Sequence, residues 1–193
     1  MKLLATALSC VVVVAVLAGC LCEDWVVVPP GGEGKLAIRV NCGAEADYVD
    51  GEGVTWLADR LLEGDGHWGA VGGLTVERTG LTVEGTKRPT LYLFERYSMD
   101  GYQFAVPPGT YTVRLHFAET YEGIEAAGER VFSVKINGQA VLTDLDVLKE
   151  TGGFAKPLVK TAAGLKVPDG TIKIEFVANV QNPEINAIEV LAH

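Results

Sequence analysis

Asp144 and Asp146 stand two residues apart, a spacing that projects both carboxylates from one face of a β-strand and would suit the acid and base of a glycoside hydrolase. Asp144 beside Thr143 equally suits a side chain that ties a turn. Glu95 and Glu119 lie near strand ends, where pairing with Arg96 or Arg114 is the expected fate of such residues. The sequence has no Gly-x-Ser-x-Gly elbow, no phosphate-binding loop and no His-Glu-x-x-His pattern. His67, His116 and His193 are far apart, and His116 is expected on a solvated strand face. The cysteines show no Cys-x-x-Cys or Cys/His spacing, so neither a metal nor a cofactor is expected.

Recognition by aromatic rings is the remaining chemistry. A pyranose offers a face of C–H groups that packs on an aromatic plane, and a rim of hydroxyls that needs amide or carboxylate partners. Trp68, flanked by Gly66, His67 and Gly69, reads as a ring held out from a glycine-rich loop for contact, with His67 as a neighbouring hydrogen-bonding group. Trp56, within Gly53-Val54-Thr55-Trp56-Leu57, reads as a structural anchor.

The elements that must position these residues are strands. Alternation of apolar and polar residues marks Leu36–Val40, Tyr111–Phe117, Phe132–Ile136, Ile172–Phe176 and Ile188–Val190 as half-buried strands. Asn137-Gly138 is a hairpin turn between Ile136 and Ala140. The stretch from Val54 to Leu62 is short and helix-like, and Gly64 stops it. With 193 residues, 48% hydrophobic, and no internal repeat, residues 36–193 are expected to form one all-β domain, an antiparallel two-sheet β-sandwich. A formal net charge of −9 makes nucleic acid an unsuitable partner.

The N-terminal region points to export. Lys2 precedes an apolar run too short for a comfortable membrane span, so residues 1–19 read as a signal peptide. Leu17-Ala18-Gly19-Cys20 resembles the lipobox of bacterial lipoproteins, which implies cleavage before Cys20 and its lipidation. The protein is then expected in the cell envelope, anchored to a bacterial membrane, with residues 20–35, rich in Pro and Gly, as a tether. Cys22 and Cys42 remain, either as a bridge or as two thiols.

Several runs in residues 36–191 resemble the malectin domain, a sugar-binding jelly-roll sandwich. They are Arg39-Val40-Asn41-Cys42-Gly43, Glu95-Arg96-Tyr97, the stretch from Pro108 to Glu119, Val131 to Gly138, Leu145-Asp146-Val147, and Asn182 to Val190. The resemblance implies a sugar site that includes Tyr97 and Tyr121, with a third aromatic falling on Trp68. Two positions depart from the pattern: Glu122 stands where an aromatic follows Tyr121, and Gln181 stands where an acid precedes Asn-Pro. Gln181 can still accept from and donate to hydroxyls. In the same pattern the Leu145-Asp146 run is structural, which argues against catalysis by the aspartates. The expectation is a non-catalytic, membrane-anchored protein that binds oligosaccharide through Trp68, Tyr97, Tyr121, Glu122 and Gln181. The alternative is a protein-interaction or scaffold module of the envelope, with an envelope protein as partner.

Overall fold

A computed structural model describes residues 37–64 and 66–193. The expected signal peptide, the lipidated Cys20, Cys22 and the tether lie outside the described residues. Among the described residues no helix is long and apolar enough to cross a membrane.

The alternating segments form two facing sheets. The first runs in the order β2 (Tyr48–Val49), β3 (Thr55–Ala58), β1 (Ala37–Asn41), β12 (Ala187–Ala192), β6 (Gly109–Phe117) and β9 (Leu158–Val167). The second joins β4 (Trp68–Glu77) and β11 (Glu184–Ile185) to β5 (Phe94–Ala105), and continues through β10 (Thr171–Val180) to β7 (Val131–Ile136) and β8 (Gln139–Leu145). Pairing is antiparallel except between β1 and β3, which run parallel. Period-two alternation turns Val113, Leu115 and Phe117 of β6 toward Phe132, Val134, Ile172 and Ile174 of the second sheet, and these fill one core. The sandwich expected from the sequence is therefore the fold.

Local chemistry explains the connections. Asn137 and Gly138 both take positive φ, as the tight turn between β7 and β8 requires. The Asn137 amide also accepts from Lys173 N–H at 2.8 Å and donates to the Thr171 carbonyl at 3.1 Å, which ties the hairpin to β10. The chain changes sheets at Asn186, between β11 and β12. Its buried amide accepts from Ala118 N–H at 2.6 Å and donates to the Phe94 carbonyl at 2.7 Å, so one side chain joins the ends of β6 and β5.

Two local expectations, the helix-like stretch and the solvated His116, are corrected. Val54–Leu62 contains the strand β3 rather than a helix, because Trp56 alternates into a second core formed where residues 78–93 fold over the outer face of the first sheet. That packing outweighs the weak helical pattern, and Trp56 is the buried anchor expected of it. His116 is buried rather than solvated: it meets the Tyr92 hydroxyl at 3.1 Å and Glu189 Oε1 at 3.1 Å, edge-on to Trp56. Asp146 caps the short helix α1 (Val147–Thr151) by accepting from Lys149 N–H at 2.9 Å, and holds Gly128 N–H at 2.6 Å. Cys42 is a fully buried free thiol.

Candidate functional site

One end of the sandwich gathers the end of β4, the start of β5, the turn after β6, the residue before β7 and the β10–β11 turn. Between them lies a cavity of about 280 Å³ lined by Val76, Arg78, Tyr97, Tyr121, Arg130 and Gln181. Tyr97 and Glu95, two apart on β5, share a strand face there, and β11 fixes this part of β5 through the Glu184–Tyr97 register. Ser98 takes a positive φ of 57° and donates its N–H to the Pro183 carbonyl at 3.0 Å, which locks the β10–β11 turn against Tyr97. Gln181, also at positive φ, is exposed at the cavity and accepts from Asn182 N–H with its amide oxygen at 3.0 Å.

Tyr121 is set by the turn below it. Its N–H donates to Glu119 Oε1 at 3.0 Å, and its carbonyl accepts from Ile124 N–H at 3.0 Å. The ring lies within reach of two guanidinium groups, with Arg78 5.6 Å and Arg130 5.9 Å from its centroid. It remains 44% exposed.

The floor is a buried ion cluster. Glu95 accepts from Arg78 at 3.1 Å and from Thr120 Oγ1 at 2.9 Å, while Arg130 Nη1 lies 3.7 Å from Glu95 and 3.4 Å from Glu119. Glu184 is fully buried, and neither of its oxygens has a hydrogen-bond partner among the described residues. Burial, reinforced by the charge of Glu95, holds the Glu184 carboxyl well above the usual carboxylate range against the pull of Arg130. Burial also raises Glu119, despite Arg130 and the Tyr121 N–H. Among the described residues no group of His, Cys, Asp and Glu is arranged to hold a metal ion.

Of the residues expected from the sequence, Tyr97, Tyr121 and Gln181 come together. Glu122 lies just outside, in the adjoining hollow. Trp68 does not reach the cavity. It opens β4 opposite Phe104, whereas Leu74 of the same strand faces Tyr97, and the seven residue steps of β5 from Tyr97 to Phe104 span roughly 23 Å. Trp68 is also engaged within the fold: it stacks on Phe104 with centroids 6.0 Å apart, and the Arg60 guanidinium sits 4.2 Å from its ring centroid. Gly69 does not mark a loop. A Cβ there would fall 2.5 Å from Leu62 N, so the glycine admits the 60–62 segment alongside β4. Val76 lines the cavity in place of the expected third ring. Sequence reading missed Arg78 and Arg130 and paired Glu95 with the wrong arginine. Arg96 instead binds Asp59 at 2.7 Å, and Arg114 lies 3.6 Å from Glu189.

A family model, the malectin domain, matches residues 36–188. Malectin-B of Xenopus laevis is 26% identical over 174 residues, covering 81% of this chain and 60% of that protein. Malectin of Mus musculus is 30% identical over 170 residues, covering 79% of this chain and 55% of that one. The chain thus spans less than two thirds of these relatives. Among solved structures, a β-glucuronidase of Bacteroides uniformis superposes with a TM-score of 0.74 at 27% identity, over 82% of this chain and 18% of the enzyme.

Proposed function

The chain belongs to the malectin domain family, and from that premise we propose that it is a non-catalytic carbohydrate-binding protein whose site is the cavity between Tyr97, Tyr121 and Gln181. The supporting observation is the convergence of two tyrosines and an amide, from three separate segments, on one cavity open to solvent. The tyrosine faces pack against the C–H side of a pyranose, and the phenol and amide groups exchange hydrogen bonds with its hydroxyls. Arg78, Arg130, Glu95 and Thr120 bind one another below the rings and hold the platforms in place. Asp146 is engaged as a helix cap and Asp144 accepts from the Asn179 amide, so neither is offered as a catalytic acid.

A glycan array probed with the full chain in detergent tests this reading. We expect oligosaccharide binding in the micromolar to millimolar range, about 4 to 8 kcal/mol, and its loss in Tyr121→Ala at unchanged thermal stability. An array silent for the intact protein, or binding retained in Tyr121→Ala, refutes it. Export and lipidation at Cys20 are part of the same proposal. A radiolabelled palmitate should enter the membrane-bound protein and be lost with Cys20→Ser.

A further inference from the structure

The cavity does not end at Tyr121. On the far side of that ring lies a second hollow of about 300 Å³, which shares Arg78 and Tyr121 with the first and is closed by Leu81, Thr120, Glu122 and Phe154. Beyond Glu122 and Phe154, which belong to both, a wider and shallower depression continues over Ile124 and Lys149. The three concavities therefore form one path across the end of the sandwich, with Tyr121 and Phe154 as successive rings along it. The exposed Glu122 carboxylate stands between the rings.

Phe154 is 39% exposed on a segment that is otherwise firmly held. Helix α1 ends at Gly152, whose φ of 66° closes the helix, and Thr151 Oγ1 donates to the Val147 carbonyl at 2.8 Å and lies 2.9 Å from the Gly153 carbonyl. On the other side Ala155 is buried in the second core, and its N–H donates to the Glu119 carbonyl at 2.8 Å. Ala155 adopts φ 54°, a conformation costly for a residue with a Cβ. The tether runs to the residue that holds Tyr121 through its carboxylate, so both rings are positioned by Glu119: Tyr121 by the side chain, Phe154 by the main chain. A phenyl group kept in water by a rigid, strained support is poorly explained by folding stability and well explained by contact with a ligand. The alternation of ring and polar group continues the chemistry of the first cavity, which identifies the occupant as more of the same molecule.

We propose that Phe154 is the platform of a second saccharide subsite, with the exposed Glu122 carboxylate as its hydroxyl partner, and that the ligand is an oligosaccharide lying across Tyr121 with sugar units on both sides. This rests on the carbohydrate-binding reading above. Titration calorimetry of the full chain in detergent tests it with two ladders of neutral gluco-oligosaccharides, maltose to maltohexaose and laminaribiose to laminarihexaose. In the wild type the affinity for at least one ladder rises tenfold or more between the disaccharide and the pentasaccharide. Phe154→Ala flattens that rise, and Phe154→Tyr, which keeps the ring, restores it. A rise that survives in Phe154→Ala overturns the second subsite while leaving the first, and so does a wild type whose affinity is independent of length. Absence of binding to every member of both ladders overturns the subsite, and the glycan array above then decides the reading on which it rests.

Discussion

Among the described residues, the charge cluster on the outer face of the first sheet and the one beneath the tyrosines are built in opposite ways. On the outer face of the first sheet each carboxylate has its own donors. Asp50 accepts from Trp56 Nε1, from Arg88 and from the N–H groups of Glu52 and Val54, and Glu189 accepts from His116 and Arg39. Beneath the tyrosines three carboxylates, Glu95, Glu119 and Glu184, share two guanidinium groups, and Glu184 receives no hydrogen bond from the described residues. Burial pushes carboxyl groups upward in both places. In the outer cluster the donors win: burial of Glu189 is outweighed by the hydrogen bond and charge of His116 and by Arg39, which hold it at about 2, and Asp50 lies below the usual range because Arg88 and the N–H donors outweigh its burial. At the site burial wins, and Glu119 and Glu184 are raised. Matched charge serves the fold, whereas surplus acid persists where the positions of Tyr97 and Tyr121 constrain the choice.

The largest effect expected from this contrast is on stability. Asp50→Ala strips four donors of their acceptor and leaves Arg88 with only the exposed Glu52 as an ion partner, so it should destabilise the protein by about 3 to 5 kcal/mol in urea denaturation at pH 7. A loss below about 1 kcal/mol would remove the outer cluster as a stabilising element and end the comparison.

The pH dependence separates the clusters next. The Glu189 carboxyl lies lower in the folded than in the unfolded state, so its contribution is complete above about 4.5 and is lost as pH falls through about 2. That limb is on the order of 3 kcal/mol and should vanish in Glu189→Gln. The Glu184 carboxyl is raised in the fold, so its contribution is complete below 4.5 and is lost as pH rises through its folded value. Glu184→Gln should therefore gain stability on the wild type as pH rises from 4 to 8. Equal pH profiles for the wild type and Glu184→Gln would show Glu184 to be ionised in the fold and the floor to be charge-matched after all.

How much of this the sequence disclosed follows from what periodicity can carry. Alternation in Tyr111–Phe117 and Phe132–Ile136 and the Asn137-Gly138 turn specify strands and a hairpin locally, so the sandwich was legible. The convergence of Tyr97, Tyr121 and Gln181 was legible only through the malectin resemblance. Trp68 misled because glycine neighbours signal either a loop or a close approach, and only the path of residues 60–62 decides which. His116, Arg78 and Arg130 sit at polar positions of ordinary pattern, and their burial depends on segments packing from far along the chain. Phe154 carried the same signal as Trp68, a large ring beside two glycines, and here the ring is the exposed one.

The smallest change addresses the reason given for the surplus acids, that Glu119 is spent on placing Tyr121. The Tyr121 ring lies directly over Gly123: a Cβ at that position would fall 2.5 Å from Tyr121 Cε1 and 2.6 Å from Cζ. Gly123→Ala therefore displaces the ring while leaving the Glu119 hydrogen bond and the ion cluster intact. Position 123 is exposed, so stability should change by less than about 1 kcal/mol, whereas oligosaccharide affinity should fall about tenfold, equivalent to about 1.4 kcal/mol. Calorimetry of the variant, paired with its melting temperature, reads both quantities. Undiminished affinity would mean that the placement of the Tyr121 ring is immaterial to binding, and the raised acids beneath it would then need a different cause.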